Sequence, residues 1–136
     1  MKKFLEKIEP NKTHIKTKLN CTLSVLPANS RYPAHCDGLN KVLSGVVYIG
    51  ENKNFGTFIL NSKNDPKPLE VEWNDNKMLL FSRKHNVSWH MYKSNNNIRY
   101  TMILNLITSE KFKHLKSEIG FFRSVYFFSN EYIKHF

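Results

Sequence analysis

Cysteine is scarce in this chain. Cys21 and Cys36 are the only two in 136 residues, too few for a disulfide framework. Glycine and proline are sparse as well, five of each, which argues against a low-complexity or disordered polypeptide. Long hydrophobic runs are missing. The longest, Val42 to Ile49, is broken by Ser44 and Gly45 and falls far short of the roughly 20 residues a membrane-spanning helix needs. The basic start Met1-Lys2-Lys3-Phe4-Leu5-Glu6-Lys7 leads into Glu9-Pro10-Asn11 and not into an apolar stretch, so it does not read as a signal peptide. A cytoplasmic location with no membrane partner is expected.

Acidic residues are also few: 11 against 21 Lys and Arg, for a formal net charge of +10. Such a balance suits an anionic partner. The positive charge is scattered, however, with no extended basic block, so dispersed solubilising lysines are the expected reading and nucleic acid is not the expected partner. An anionic small molecule would also be drawn to this potential. A 40% hydrophobic and 13% aromatic composition, with ten Phe and six Tyr, is that of an ordinary globular protein whose modest core is filled by large side chains. The length predicts one domain over 1–136. Nothing in the sequence sets the oligomeric state.

Residues 2–9 predict a short helix ended by Pro10. From there to about residue 107 the pattern is of short strands between turn signals. These are Leu19–Leu26, Tyr32–Asp37, Val42–Ile49, Gly56–Leu60, Leu69–Trp73, Met78–Phe81, Val87–Tyr92 and Ile98–Ile107, with Ser94-Asn95-Asn96-Asn97 turning the chain between the last two. Such spacing predicts a mainly β barrel or two-sheet jelly roll over about 19–107. In the extension 109–136, Glu110 to Gly120 has helical spacing, with Phe112, Leu115 and Ile119 on one face. Phe121 to Phe128 fits either a strand or a continued helix. The extension is expected to pack on the outside of the barrel, with dimerisation as the alternative.

In a strand, residues two apart share a face, so His35 and Asp37 are expected to point together into the barrel while Cys36 points away. An imidazole and a carboxylate on one face make two thirds of a facial metal triad. Taken alone, His-x-Asp is common and carries little weight. His90 lies on a later strand, where a third ligand must lie if neighbouring strands are to converge on one ion. Beyond the Ser94–Asn97 turn, Arg99 and Thr101 share a face of what is expected to be the adjacent hairpin strand. A guanidinium in an apolar barrel is costly unless an anion pairs with it. The far end of a dicarboxylate could do so bidentately, with the Thr101 hydroxyl as a further donor.

Tyr32-Pro33-Ala34-His35-Cys36-Asp37, Lys41-Val42-Leu43-Ser44-Gly45-Val46-Val47-Tyr48-Ile49, Gly56-Thr57, Leu79-Leu80-Phe81, His90 and Arg99-Tyr100-Thr101 together resemble the 2-oxoglutarate- and Fe(II)-dependent dioxygenases. The resemblance is greatest to the prolyl-4-hydroxylase-like branch with its small bacterial and phage members. It covers most of the chain, from about residue 20 to 107, and its motifs are specific as a set though not singly. It implies a distorted double-stranded β-helix of the jelly-roll or cupin-like type, with Fe(II) on His35, Asp37 and His90. Arg99 would bind the distal carboxylate of 2-oxoglutarate, with Tyr48 and Thr101 adding hydroxyls. The implied activity uses O2 to couple decarboxylation of 2-oxoglutarate to succinate and CO2 with C–H hydroxylation of a substrate, with ascorbate as a reductant. The family-weighted substrate is a peptidyl proline. The alternatives are a free amino acid or other small metabolite, or a barrel that binds metal and 2-oxoglutarate without catalysis. Arg31, Tyr32, Trp89 and Tyr92 flank the expected mouth as a substrate rim, and Ser88 or Tyr32 is expected to orient the ligands. Two features depart from the family: Val25 or a neighbour stands where a second tyrosine is usual, and only a short segment precedes the first core strand, so the C-terminal extension is expected to brace the larger sheet.

Overall fold

Asparagine does much of the turning in this chain. The computed structural model describes residues 2–51 and 53–133. Within it the chain runs α1 (Lys2–Ile8), a 3₁₀ turn (Pro10–Lys12), β1 (Lys18–Leu26), β2 (Arg31–His35), β3 (Lys41–Ile49), β4 (Thr57–Leu60), β5 (Leu69–Val71), β6 (Met78–Ser82), β7 (Trp89–Lys93), β8 (Arg99–Ile107), α2 (Lys111–Ile119) and α3 (Phe121–Ile133). Asn29, Asn76 and Asn86 take left-handed φ values of 54°, 59° and 53° in three of the connections. Asparagine tolerates that region better than other side chains, because its amide can bond to the local backbone.

The strands form two antiparallel four-stranded sheets, ordered β1-β8-β3-β6 and β2-β7-β4-β5. This is the two-sheet jelly roll expected from the strand pattern, in the double-stranded β-helix form that the family resemblance implies. Consecutive strands mostly belong to opposite sheets, which corrects one expectation. β7 and β8 are not a hairpin: the chain crosses from one sheet to the other between them, so Arg99 reaches the interior from the sheet opposite His90. Buried Ser94 holds this crossing, its hydroxyl accepting a 2.9 Å hydrogen bond from the Ser30 amide. A local turn signal marks a reversal of direction but not a change of sheet.

Gly56 opens β4 against a neighbouring backbone. A Cβ there would lie 1.6 Å from the Val71 carbonyl oxygen, so any larger residue would force β4 from β5 and displace Thr57. On the outer side of the first sheet, α1 sets Leu5 into a buried cluster with Ile15, Val42, Leu43 and Leu106. The same face is only partly covered, since Leu19, Leu23, Val25 and Tyr100 stay exposed. Val25 pairs with Tyr100 on this outer face.

The C-terminal segment resolves into two helices and no strand. Gly120, at φ 83°, ends α2 in a conformation costly for other residues, and the chain restarts as α3. The aromatic run cluster there includes Phe112 against Phe121 and Phe128 at centroid distances of 6.2 and 5.6 Å. Residues 134–136 of the expected extension lie outside the described residues. None of the described helices is long and apolar enough to cross a membrane.

α2 is tied to the barrel by buried charge. Glu118 takes the Lys12 ammonium at 2.9 Å on one carboxylate oxygen, and the Arg83 guanidinium and the His85 amide on the other. The Lys12 and Arg83 residues are 2% and 3% exposed. Burial opposes the Glu118 charge, but its hydrogen bonds and the two cations hold the carboxyl below its ordinary range. Glu118→Gln would leave both cations without a counter-charge. Breaking such a pair on one side costs about 3 kcal/mol, so urea unfolding is expected to show a stability loss of that order. A loss below about 0.5 kcal/mol, the usual limit for surface substitutions, would mean that the cluster is solvated in solution.

Candidate metal centre

The candidate ligand set is brought together by a defect in a strand pair. β2 pairs with β7 as Tyr32 with Tyr92 and then His35 with His90, with a register shift between. The extra residue, in Pro33-Ala34, is a bulge that puts Tyr32 and His35 on the same side although they are three apart in sequence. β2 ends at His35, so Asp37 stands in the following loop and shares the interior with His35 through that loop, not through strand alternation as expected. Arg83 fixes the loop by donating from Nε to the Asp37 carbonyl oxygen at 3.2 Å.

His35, Asp37 and His90 each offer one ligand atom, and these atoms lie within 4.8 Å of one another. The His90 Nε2 to Asp37 Oδ1 distance is 4.0 Å, and the two imidazole centroids are 4.3 Å apart. Each ring is oriented by a backbone carbonyl two residues earlier: His35 Nδ1 lies 3.0 Å from the Pro33 oxygen and His90 Nδ1 3.0 Å from the Ser88 oxygen. A carbonyl only accepts, so Nδ1 carries the proton in both rings and Nε2 keeps its lone pair for a metal. The orienting group at residue 88 is thus its main chain; the Ser88 hydroxyl bonds to Lys84. Tyr32 meets the edge of His35 at 4.8 Å, and Phe81 packs on His90 at 4.7 Å.

Asp37 is buried and receives Lys41 Nζ at 2.7 Å on Oδ1 and the Ser44 hydroxyl at 2.6 Å on Oδ2. Burial pushes this carboxyl up, but the bonds from Lys41 and Ser44 outweigh it and hold the group ionised, below its ordinary range. Burial lowers the pKa of His90 below its ordinary 6.5, which keeps the ring neutral, as a ligand must be. In the metal-free protein this has a cost on acidification. The unfolded chain takes up a proton at residue 90 near the ordinary value while the folded chain resists, so the stability present above that value declines as the pH falls through it. Urea midpoints of the metal-free protein are expected to move to lower urea as the pH is taken from about 7 to about 5. His90→Gln should flatten that drop, and identical pH dependence in the two proteins would count against the buried neutral ring.

These residues line one end of a pocket of ≈ 410 Å³, mouth included, to which both sheets contribute. Thr57, His90 and Tyr92 come from the second sheet. Ser44, Val46, Phe81 and the β8 row Arg99, Thr101, Ile103 and Asn105 come from the first. Arg99 is 2% exposed. Its contacts among the described residues are neutral and long: the Phe55 carbonyl at 3.3 Å, Thr57 Oγ1 at 3.4 Å and Thr101 Oγ1 at 3.5 Å. The rings of Tyr92, Trp73 and Tyr48 surround the guanidinium at 4.9, 5.6 and 5.7 Å from Cζ, and burial lowers its pKa.

The pocket therefore brings together His35, Asp37, His90, Arg99, Thr101 and Tyr92. The Tyr48 hydroxyl does not line it: it donates to Thr57 Oγ1 at 3.1 Å and accepts from the Thr57 amide at 3.0 Å. Tyr32 stacks on Tyr92 at 5.0 Å at the mouth. Arg31 lies in a neighbouring groove, and Trp89, paired with Leu60 on the other face of β7, lines neither hollow. Sequence reasoning missed the pocket roles of Lys41, Thr57 and Asn105. Asn105 could have been found from alternation with Arg99 and Thr101 along β8. It is the more telling because its side-chain oxygen is buried with no hydrogen-bond partner among the described residues.

No protein-family model and no curated protein sequence matches the chain. Solved structures do. The chain is similar to a prolyl-4-hydroxylase of Pseudomonas putida, at TM-score 0.55 and 15% identity, over 67% of this chain and 52% of that one. It is similar to a prolyl hydroxylase of Trichoplax adhaerens, solved with a peptide fragment of the hypoxia inducible factor oxygen degradation domain, at TM-score 0.58 and 17% identity, over 70% and 46%. A third is a 2-oxoglutarate–Fe(II) oxygenase family oxidoreductase of Burkholderia pseudomallei, at TM-score 0.53 and 15% identity, over 70% and 48%. The chain spans about half the length of these structures. The two sheets and their order are thus the prolyl-4-hydroxylase-like fold of the 2-oxoglutarate- and Fe(II)-dependent oxygenases.

Proposed function

We propose that this chain is a non-haem Fe(II)- and 2-oxoglutarate-dependent dioxygenase that hydroxylates a C–H bond, with a peptidyl proline as the favoured substrate. One observation carries the reading. A His-Asp-His set within 4.8 Å shares a pocket with a buried guanidinium whose own partners are all neutral. Two imidazoles and one carboxylate are the donor set of non-haem Fe(II) oxygenases, which leave coordination positions open. The dicarboxylate co-substrate supplies the matching anion for the cation.

His35 and His90 would hold the metal through Nε2 and Asp37 through a carboxylate oxygen. When bound, iron with 2-oxoglutarate supplies the oxidising chemistry that turns O2 on a C–H bond and releases succinate and CO2. The protein's own part is geometry and charge. The Pro33 and Ser88 carbonyls hold the imidazole tautomers, while Ser44 and Arg83 aim Asp37. Arg99, flanked by Thr101 and Thr57, binds the distal carboxylate in a site walled by the rings of Tyr92, Trp73 and Tyr48. Tyr48 acts one step back, holding Thr57 beside the guanidinium. Ascorbate would serve as an external reductant.

The test is anaerobic reconstitution with Fe(II) and 2-oxoglutarate. A visible charge-transfer band is expected only when both are present, followed by succinate release on admitting O2. Metal uptake without the band, and no succinate, would reduce the protein to a metal-binding barrel.

A further inference from the structure

Beside the metal pocket lies a second hollow with a different character. It is an open groove of ≈ 900 Å³, its open side included, lined by Arg31, Tyr32, Pro33, Ala34, Lys63, Asn64, Met91, Tyr92 and Lys93. Three of these are cations and none is an acid. Arg31, Lys63 and Lys93 form no ion pair among the described residues, in contrast to Lys12, Lys41, Arg83, Lys84 and Lys113. Lys93 sits with its ammonium 4.3 and 5.0 Å from the Phe55 and Phe58 centroids, a contact that positions the charge without neutralising it. Between the cations, Pro33, Ala34 and Met91 give an apolar floor.

Tyr92 lines both hollows, and Tyr32 stacks on it while touching His35. The groove and the metal pocket thus meet at these two rings. The bulge that turns His35 inward also places Pro33 and Ala34 in the groove. A chain lying there would pass within one side chain of the metal ligands.

The geometry points to this groove as a subsite for an acidic polypeptide: the substrate carries Asp or Glu side chains close to the residue that is oxidised, and Arg31, Lys63 and Lys93 receive them. The inference rests on the oxygenase reading above and adds the substrate's charge class. A polypeptide is favoured over a nucleic acid because Tyr32 and Tyr92 stack on each other and meet His35 edge-on, whereas single-strand binders present aromatic faces to bases. Surface cations without partners also match side-chain carboxylates spaced along an extended chain.

Binding of fluorescent proline-containing peptides to the metal-free full chain tests it. The set comprises one peptide with Glu flanking the proline, the same peptide with Gln, and the same with Lys. The Glu peptide is expected to bind at least about tenfold more tightly than the Gln peptide and to weaken with salt, as charge-assisted surface contacts do. Lys63→Glu, in an exposed loop, and the double variant Arg31→Glu/Lys93→Glu should remove that preference. Lys2→Glu and Lys111→Glu, on α1 and α2, change net charge elsewhere and should not. Equal affinity for the Glu and Gln peptides, an equal loss from the distant reversals, or tighter binding of a single-stranded oligonucleotide than of the Glu peptide would each overturn the proposal. The chelate band of the unmodified protein, recorded without peptide, reads the oxygenase assignment separately.

Discussion

Asp37→Ala is expected to lower Fe(II) affinity by about 1000-fold or more and to leave no measurable succinate production. Loss of groups that merely orient a ligand weakens metal binding by about 10–100-fold, and this change removes a ligand itself. Asp37 is also the only anion of the set; of the two imidazoles, His90 is kept neutral by burial. The fold should be affected far less. Lys41, the direct ionic partner of Asp37, has a side chain 31% exposed and can turn to water when the carboxylate is gone. Ser44 loses one hydrogen bond, a matter of about 1 kcal/mol. Anaerobic calorimetric titration with Fe(II), read beside a urea unfolding curve, separates these effects. Iron-dependent turnover that persists in Asp37→Ala and also in His35→Ala would remove the basis for a His-Asp-His centre. A variant that binds no metal because it no longer folds would show itself in the unfolding curve, and His35→Ala, at a half-buried position, then provides the independent test.

The site residues were more legible in the sequence than the way the backbone delivers them. Arg99 and Thr101 were paired by strand alternation, and β8 does place both side chains in the pocket. His35 and Asp37 were paired by the same rule, yet they converge for another reason: a bulge at Pro33-Ala34 re-aims His35, and a loop tied down by Arg83 carries Asp37. A bulge adds one residue to one strand, and its position depends on the partner's register, which a single sequence does not display. The turn before Arg99 was visible but its change of sheet was not, because Ser94-Asn95-Asn96-Asn97 encodes only local φ and ψ preferences while Ser30, far back in the chain, fixes the crossing. The tie of Lys12 to Glu118 spans 106 positions. Neither residue stands out locally from other exposed-type charges, so their burial could not be foreseen. Asn105 differs from these: alternation with Arg99 and Thr101 marks it as inward-facing, but asparagine is abundant in this chain and mostly turns it, so residue type alone does not single this one out.

Arg99→Met should separate binding of the co-substrate from stability of the fold, in opposite directions. Most buried cations are paired with an acid, and removing them unfolds proteins. Arg99 is buried with only neutral acceptors, at 3.3 to 3.5 Å, and burial alone works against its charge. Methionine keeps the packing against Tyr48, Trp73 and Tyr92 and removes the desolvated charge. The apo protein is therefore expected to be as stable as the parent or more so. The co-substrate side runs the other way. A bidentate carboxylate contact consists of two charge-assisted hydrogen bonds worth about 1.5–3 kcal/mol each, so 2-oxoglutarate affinity should fall by at least about 100-fold and by as much as about 10,000-fold, while Fe(II) binding, which Arg99 does not touch, should change little. Succinate, which retains only the distal-type carboxylates, should compete with 2-oxoglutarate in the parent and lose its hold in the variant. If Arg99→Met is strongly destabilised and binds 2-oxoglutarate as the parent does, the guanidinium is a structural strut, and the pocket must recognise something other than a dicarboxylate.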